Sequence, residues 1–263
     1  MKAIILAAGK GKRVKELTKE NPKCMINLFG KTILEHQINV LNKKNISDII
    51  VVTGFKSDSI TIPGLKFYKN ENFATTNMVE TLFCARDELS DDVIVAYGDI
   101  IYDEKVLQVL LESHEDISVV IDKNWEEIWN LRFEEPLKDA ETLILDKDGN
   151  IEEIGQKPKS IEEIQGQYIG LMRFNKNGIN LIKEFYDDAK KEFDSSKKNP
   201  LNEKIAFEQS YMTDFLQAII KKGHKIKGIP INKGWLELDT YNDYEIYSDM
   251  YKKDTLKKFI KLE

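Results

Sequence analysis

The sequence contains few cysteines and no long hydrophobic run, and each shortage excludes a class of protein. Two cysteines, Cys24 and Cys84, among 263 residues are too few for the disulfide framework of a small secreted protein. No apolar stretch approaches the ~18 residues that a membrane-spanning helix requires. The apolar run that begins at Ala3 ends at Lys10 without a cleavage-type boundary, which predicts a buried strand and not a secretion signal. We therefore expect a cytoplasmic protein without a membrane partner.

The chain also lacks an excess of positive charge. It has 39 Lys and Arg against 45 Asp and Glu, a formal net charge of −6. A protein that binds duplex nucleic acid needs a basic face for the phosphates, so no nucleic-acid partner is expected. A hydrophobic share of 41% excludes disorder, and 263 residues can bury a core without a metal or disulfide staple. Whether copies associate into a homo-oligomer stays open.

Strands and helices alternate in the first half of the chain. Apolar runs predict buried strands over 2–6, 48–54, 65–68 and 93–97, and a 3.6-residue period predicts helices over 32–41 and 77–88. Thr32 and Glu35 have the spacing of a helix-capping box. Strands separated by helices imply right-handed crossovers and a parallel sheet. The predicted fold is α/β and Rossmann-like, with a mixed, mostly parallel sheet flanked by helices.

The second half is less regular, and it is predicted to be inserted in or appended to the first. Strands are expected at 117–121, 142–145, 151–154, 168–174 and 225–231, and helices at 178–192, 212–222 and from Asn242. The segment 124–132 is rich in aromatic residues and is left without an assigned element. Asp148-Gly149 predicts a hairpin turn, and the polar segment 194–204 predicts a mobile surface loop. Without a repeat or flexible linker, we expect one domain over 1–263, with a boundary between halves after 116 and a helical tail at 251–263.

The segment after the first strand combines small residues with positive charge. Residues 7–13 read AAGKGKR, and the two glycines allow a tight turn whose amides point inward. Arg13 is one of only four arginines in the chain. Val14 replaces the third glycine of the dinucleotide motif, and the Gly-Lys-Ser/Thr ending of a P-loop is absent. The pattern predicts a phosphate-binding loop of another kind, with an ordinary strand-to-helix turn as the alternative.

Two acidic segments could hold a divalent cation. Asp99 follows a predicted parallel strand, at the edge where open α/β sheets bind ligands. Glu237 and Asp239 share one face of a short strand, and adjacent carboxylates repel unless a cation or water lies between them. Mg²⁺ commonly uses one or two protein carboxylates together with phosphate oxygens. We predict a Mg²⁺ site at Asp99, Asp239 and Glu237, the alternative being a solvated turn and a solvated edge strand.

Five motifs in order resemble the sugar-nucleotidyltransferase superfamily. They are Leu6-Ala7-Ala8-Gly9-x-Gly11-x-Arg13, Pro22-Lys23, Gly98-Asp99, Lys157-Pro158 and the acidic strand Trp235–Thr240. Segments 73–77, 97–100, 168–171, 211–214 and 235–240 are most similar to the branch of choline-phosphate and 2-aminoethylphosphonate cytidylyltransferases. Two positions depart from the pattern: Lys12 replaces a Ser/Thr, and Gln156 replaces a Glu of many sugar-type members. The second departure weakens a sugar-1-phosphate reading.

The resemblance implies an enzyme that joins CTP to a small phosphorylated alcohol or a phosphonate, giving a CDP-linked product and pyrophosphate with the help of Mg²⁺. Residues 1–116 would be the nucleotide-binding half and 117–250 the acceptor-binding half. The alternatives are a sugar-1-phosphate uridylyl- or thymidylyltransferase and a nucleotide-binding module without activity. The last has no need of two acidic segments.

The resemblance also implies roles for individual residues. The expected nucleotide-binding residues are Leu6, Ala7, Ala8, Gly9, Gly11, Arg13, Lys23, Asn77 and Asp99, with backbone groups around Leu6 and Ala8 reading the pyrimidine. The expected catalytic residues are Arg13, Lys23 and Lys157, with Lys157 on the acceptor phosphate. The expected acceptor-binding residues are Trp129, Lys157, Tyr211 and Asp214, with Trp125 as an alternative aromatic face for a cationic acceptor. The tryptophans could equally be core residues, and Asp214 a helix cap.

Overall fold

Thirteen β-strands and seven α-helices make up residues 1–262, the part of the chain that the computed structural model describes. The strands are β1 (Lys2–Ala7), β2 (Asn27–Leu28), β3 (Lys31–Thr32), β4 (Ile49–Thr53), β5 (Lys66–Lys69), β6 (Val93–Tyr97), β7 (Ile100–Tyr102), β8 (Ile117–Asp122), β9 (Leu143–Leu145), β10 (Ile151–Ile154), β11 (Gln167–Phe174), β12 (Lys227–Ile231) and β13 (Trp235–Glu237). The helices are α1 (Ile33–Lys43), α2 (Met78–Cys84), α3 (Glu104–Leu111), α4 (Trp125–Arg132), α5 (Lys176–Ser196), α6 (Met212–Lys221) and α7 (Tyr241–Lys252).

Seven strands form the central sheet in the order β12-β8-β11-β6-β1-β4-β5. The pairs β1–β4, β1–β6, β4–β5 and β8–β12 are parallel, and β11 runs antiparallel to both β6 and β8. This confirms the predicted α/β fold with a mixed, mostly parallel sheet. Strands β8, β11 and β12, from the predicted acceptor half, extend the same sheet.

The two faces of the sheet carry separate apolar clusters. Alternate residues of β1 point to opposite faces, so Ile4 lies in the cluster that contains residues of α2, α5 and α6, whereas Ile5 lies in the cluster that contains residues of α1, α3 and α4. Burial on both faces explains why β1, β4 and β8 are almost continuously apolar. A third cluster, which includes Val14, Leu238 and Tyr247, packs the chain around β13 and α7 beneath the loop that follows β1.

Local signals set several element boundaries. Thr32 caps α1 with the predicted box: its hydroxyl accepts the Glu35 amide at 3.1 Å, and the Glu35 carboxylate accepts the Thr32 amide at 2.7 Å. Gly149, in the left-handed region at φ 78°, turns the β9–β10 hairpin. After α7 the chain makes a 3-10 turn at Leu256–Lys258, and residue 263 lies outside the described residues.

The predicted surface loop at 194–204 is more ordered than its polar composition indicates. Helix α5 continues to Ser196. Beyond it Asn199 is buried, where its side chain accepts the Leu201 amide at 2.9 Å and donates to the Ser210 hydroxyl at 2.9 Å. A hydrogen-bonded asparagine therefore anchors this segment. No helix among residues 1–262 is both long enough and apolar enough to span a bilayer.

Candidate active site

The glycine loop after β1 leaves its amides available. Gly11 lies in the left-handed region at φ 63°, and a Cβ there would come within 3.1 Å of the Val14 and Thr18 side chains, so a larger residue would be strained. The 3-10 turn Lys12–Val14 follows. The amides of residues 9–13 donate to no protein acceptor within residues 1–262. Free amides beside exposed Lys10, Lys12 and Arg13 make this loop suited to an anion.

Strand pairing brings the two acidic segments together. Asp99 lies between β6 and β7, and β7 pairs antiparallel with β13 so that Ile100 stands opposite Glu237. The Asp99 carbonyl accepts the Leu238 amide at 2.9 Å, which extends this contact toward Asp239. As a result Asp99, Glu237 and Asp239 each present a carboxylate oxygen within 4.8 Å of the others. These three residues are called the acid cluster below.

Lys23 and Arg13 contact the two aspartates of the acid cluster. The Lys23 ammonium lies 2.9 Å from Asp99 Oδ2 and 3.2 Å from Asp239 Oδ1, and Arg13 Nη1 lies 2.6 Å from Asp239 Oδ2. Burial alone would lower the pKa of Lys23, but the charges of Asp99 and Asp239 outweigh it and the pKa is raised. Lys23 is therefore a fixed positive charge, whereas the Arg13 side chain is 64% exposed and free to reorient.

The acid cluster fits a hard divalent cation. Asp99 Oδ1 is buried and has no hydrogen-bond partner within residues 1–262, and an unpaired buried carboxylate oxygen is costly without a ligand. Burial raises the pKa of Glu237 to about 7, with Asp99 and Asp239 acting in the same direction and Arg132 and Lys23 opposing them. An all-oxygen donor set is what Mg²⁺ prefers.

A cavity of about 350 Å³ opens above the acid cluster. Arg13 and Asn77 lie on its wall together with the acid cluster, and at another part of the wall are Trp129, Asp139, Glu141 and Tyr211. The Trp129 indole donates to Asp139 Oδ2 at 3.1 Å, which fixes the ring against the cavity. The Tyr211 side chain is among the exposed large side chains, at 55%. Arg13 therefore joins this cavity to the glycine loop, whereas Lys10, Gly11 and Lys12 line a separate cavity of about 410 Å³.

Seven predicted site residues line this one cavity: Arg13, Asn77, Asp99, Trp129, Tyr211, Glu237 and Asp239. Lys23 lies beneath it, in contact with Asp99 and Asp239. Asn77 also caps α2, since its Oδ1 accepts the Met78 amide at 2.9 Å. Among the backbone groups around Leu6 and Ala8 that are expected to read a pyrimidine, the two carbonyls accept hydrogen bonds within the fold. The Leu6 carbonyl accepts the Gly98 amide at 2.9 Å, and the Ala8 carbonyl accepts the Phe55 amide at 3.1 Å.

The structure places three other predicted acceptor residues away from the cavity wall. The Lys157 ammonium donates to the carbonyls of Leu137 at 2.5 Å and Lys138 at 2.6 Å, because the turn after α4 presents both oxygens to it. Asp214 caps α6: one oxygen accepts the Tyr211 amide and the other the Asn202 amide group, both at 2.9 Å. Trp125 is buried and packs edge-to-face on Trp129 at 5.9 Å. Asp214 thus has the helix-cap role, and Trp125 the core role, that the sequence left open as alternatives.

Sequence reasoning missed the acids that do line the acceptor side, Asp139 and Glu141. The Glu141 carboxylate has no ion-pair or hydrogen-bond partner within residues 1–262. The residues form an acid-x-acid pattern around buried Ala140, the same pattern as Glu237-Leu238-Asp239. The same pattern also occurs at 146–148, 192–194 and 243–245, so it does not single out Asp139 and Glu141.

The chain is similar to known nucleotidyltransferases in sequence and in fold. The profile of the MobA-like NTP transferase domain matches residues 3–154. The chain is 38% identical over 257 residues to CTP:phosphoglutamine cytidylyltransferase from Campylobacter jejuni, covering 94% of this chain and 98% of that one. It is 32% identical over 99 residues to choline-phosphate cytidylyltransferase from Streptococcus pneumoniae, covering 36% of this chain and 43% of the relative. Among solved structures, CTP:phosphocholine cytidylyltransferase from Streptococcus pneumoniae superposes with a TM-score of 0.71 at 20% identity, covering 95% of this chain and 98% of that one.

Proposed function

Because this chain belongs to the family of MobA-like NTP transferase domains, we propose that it is a Mg²⁺-dependent cytidylyltransferase. It joins CTP to a small phosphorylated or phosphonate acceptor that carries a cationic nitrogen, of the phosphoglutamine, phosphocholine or 2-aminoethylphosphonate type. The predicted nucleotidyltransferase class and superfamily are confirmed by the family match and the near full-length relative. The observation that carries the proposal is the single cavity in which Arg13 and the acid cluster meet, beside the free amides of the glycine loop.

The nucleotide end of the cavity binds the triphosphate through amides and cations. The loop amides and Arg13 bind the β- and γ-phosphates, and Lys23 binds the α-phosphate. Since Arg13 and Lys23 contact Asp239 and Asp99 without nucleotide, CTP redistributes both cations from carboxylate to phosphate oxygens. Asp99 and Asp239, with Glu237, would hold Mg²⁺, and the ion would withdraw charge from the phosphate oxygens.

The chemical step needs little covalent help from the protein. An anionic oxygen of the acceptor attacks the α-phosphorus, the new P–O bond forms, and the bond to the β-phosphate breaks to release pyrophosphate. The attacking oxygen is already deprotonated, so no general base is required. Alignment of the two anionic groups and neutralisation of their charge supply the rate.

The acceptor end of the cavity suits a cationic nitrogen. Trp129 and Tyr211 offer aromatic faces, and Asp139 and Glu141 offer carboxylates that no lysine or arginine of the described chain pairs directly. Burial, together with Asp214 and Asp139, raises the pKa of Glu141 to about 7, and a cationic nitrogen beside it would favour the ionised form. Glu141, and not Asp214, would supply the carboxylate that binds the cationic nitrogen of the acceptor. Lys157 reaches an acceptor phosphate only if its ammonium leaves the carbonyls of Leu137 and Lys138.

A pyrophosphate-release assay tests the proposal. It crosses CTP, UTP, dTTP and ATP with phosphoglutamine, phosphocholine, 2-aminoethylphosphonate, glycerol 3-phosphate and glucose 1-phosphate. We expect Mg²⁺-dependent release with CTP and an amine-bearing acceptor. Release with UTP or dTTP and glucose 1-phosphate would instead establish the sugar-type alternative, and no release with any pair would leave a nucleotide-binding module.

Glu141→Gln tests the acceptor end separately. Removing this unpaired charge should raise KM for the amine-bearing acceptor about 10-fold, on the scale of one lost cation contact, with KM for CTP unchanged. Steady-state kinetics with each substrate varied in turn give both constants. Glu152→Gln, on the exposed side of β10, is the matched control and should leave both constants unchanged. Equal acceptor KM values in the two variants would remove Glu141 from the acceptor site.

A further inference from the structure

Arg132, at the end of α4, is a buried arginine that neither the glycine loop nor the acceptor wall uses. Its side chain is 0% exposed. Its Nε and Nη2 donate to the two carboxylate oxygens of Asp243 at 3.1 Å each, and its Nη1 lies 3.0 Å from Glu237 Oε2. One guanidinium thus contacts two carboxylates, of which Glu237 belongs to the acid cluster.

Asp243 extends the reach of Arg132 to a second member of the acid cluster. Asp243 is completely buried at the start of α7, where its Oδ2 accepts the backbone amides of Asp239 at 2.9 Å and Thr240 at 2.8 Å. The Asp243 carboxylate therefore accepts hydrogen bonds both from the Asp239 backbone amide and from the Arg132 guanidinium. Glu237 is contacted through an ion pair without hydrogen-bond geometry, and the Asp239 backbone is reached through the hydrogen bonds of Asp243.

We propose that Arg132 is a positioning residue for the acid cluster, fixing Glu237 and the Asp239 backbone in the geometry that binds the divalent cation. The proposal rests on the proposed function for the identity of that cation. A guanidinium offers a planar fork that matches a carboxylate with two parallel hydrogen bonds, whereas a lysine ammonium is a point charge on a flexible stem. The arrangement therefore depends on arginine and not on positive charge alone.

Stability alone does not account for a charged group at this place. The free-energy cost of removing two or more charged groups from water offsets most of the attraction between them. Well-packed apolar residues in the same place often make a protein equally stable. Residues that orient metal ligands typically change metal affinity or activity by about 10- to 100-fold when replaced. Arg132 also lies 5.6 Å from the Trp129 ring on the same helix, so α4 connects the acid cluster to the acceptor wall.

The test is the dissociation constant of Mn²⁺, measured by electron paramagnetic resonance on the protein with CTP and no acceptor, for wild type and Arg132→Lys. We expect binding to weaken about 10- to 100-fold, and kcat to fall while KM for CTP changes much less. The matched control is Arg173→Lys. Arg173 also grips one carboxylate with two bonds, to Asp92 at 2.9 and 2.8 Å, but at the opposite end of the sheet. It should lower Tm and leave Mn²⁺ binding unchanged.

A wild-type Mn²⁺ constant in Arg132→Lys, measured well below its Tm, would overturn the proposal. If that variant does not fold, Asp243→Asn replaces it, because asparagine keeps an acceptor for the Asp239 amide but loses the two-oxygen grip on Arg132. Weakened Mn²⁺ binding in Asp243→Asn supports the proposal, and unchanged binding contradicts it. If wild type binds Mn²⁺ with CTP but releases no pyrophosphate with any acceptor, the proposed function fails while this comparison of constants still decides the role of Arg132.

Discussion

The buried carboxylate of Glu88 and the acid cluster lie at opposite ends of the parallel strands, and they differ in how completely their oxygens are hydrogen-bonded. Glu88, before β6, is buried and accepts hydrogen bonds from Lys2 Nζ at 2.7 Å, from the Tyr68 hydroxyl at 2.8 Å and from Lys66 Nζ. The acid cluster, beyond the other end of β6, sets three carboxylates against Lys23, Arg13 and Arg132, yet it leaves a buried oxygen of Asp99 without a partner.

The titration of the two groups follows from that difference. Hydrogen bonds from Lys2 and Lys66 lower the pKa of Glu88 to about 2. Burial and neighbouring acids raise the pKa of Glu237 to about 7. The Glu88 carboxylate, which accepts three hydrogen bonds, links the ends of neighbouring strands and stabilises the fold. The acid cluster has a carboxylate oxygen without a hydrogen-bond partner and can therefore bind a ligand. Substitutions at the two ends should therefore separate stability from activity.

Asp99→Asn should produce the largest effect on activity. It removes one charge and replaces one carboxylate oxygen of the acid cluster by an amide NH2 that cannot bind a metal, so Mg²⁺-dependent kcat should fall by about 10³-fold or more, the scale of losing a principal transition-state stabiliser. Tm should change little, because reduced repulsion among the acids offsets the weakened contact with Lys23. Pyrophosphate release and thermal unfolding measure the two quantities. Near-wild-type turnover would reject the metal role of Asp99.

Lys23→Met should be the next largest. The variant keeps the aliphatic chain but removes the ammonium that is expected to contact the α-phosphate, so kcat/KM for CTP should fall about 10²-fold. Lys66→Met, at the Glu88 end, is the matched control and should leave kcat/KM unchanged. A higher KM for CTP with an unchanged kcat would show that Lys23 binds substrate and transition state equally.

Glu88→Gln should lower stability without affecting activity, the reverse of what is expected for Asp99→Asn. Activity should be unchanged, while the free energy of unfolding falls by about 1–2 kcal/mol, the scale of weakened hydrogen bonds to a charged group. The loss should depend on pH. The folded-state pKa of about 2 lies below the ordinary 4.5, so wild type gains stability from Glu88 above about pH 4.5 and loses that gain as pH falls toward 2. Urea unfolding between pH 7 and 3 should show the gap between variant and wild type closing. A constant gap would contradict this account of Glu88.

Local sequence patterns predicted most of the central sheet. Buried runs such as Ile49–Thr53 are apolar on both faces, which leaves few alternatives to a central strand, and the Thr32 cap depends on neighbours three residues away. The pairing of β7 with β13 had no such local signal, because it joins segments far apart in the sequence. Polar composition was likewise misleading at Asn199, since a buried amide with hydrogen-bond partners has the same residue type as a solvated one.

The candidate site divides in the same manner. Arg13 and Asp99 follow directly from β1 and β6, so a correct strand prediction also locates them at the sheet edge. Lys157 and Asp214 lie on a turn and at a helix start, where local hydrogen bonds decide the direction of the side chain. Composition cannot predict that direction. For the same reason Glu141 was not identified.

The most direct test of the account is a crystal structure of the protein with CTP and Mn²⁺, with the metal located by its anomalous scattering. The account predicts a metal peak bound to Asp99 and Asp239, and a triphosphate on the amides of residues 9–13 with Arg13 and Lys23 turned toward it. A nucleotide bound elsewhere, for example in the cavity of about 500 Å³ beside α1 and α3, with no metal at Asp99, would contradict it.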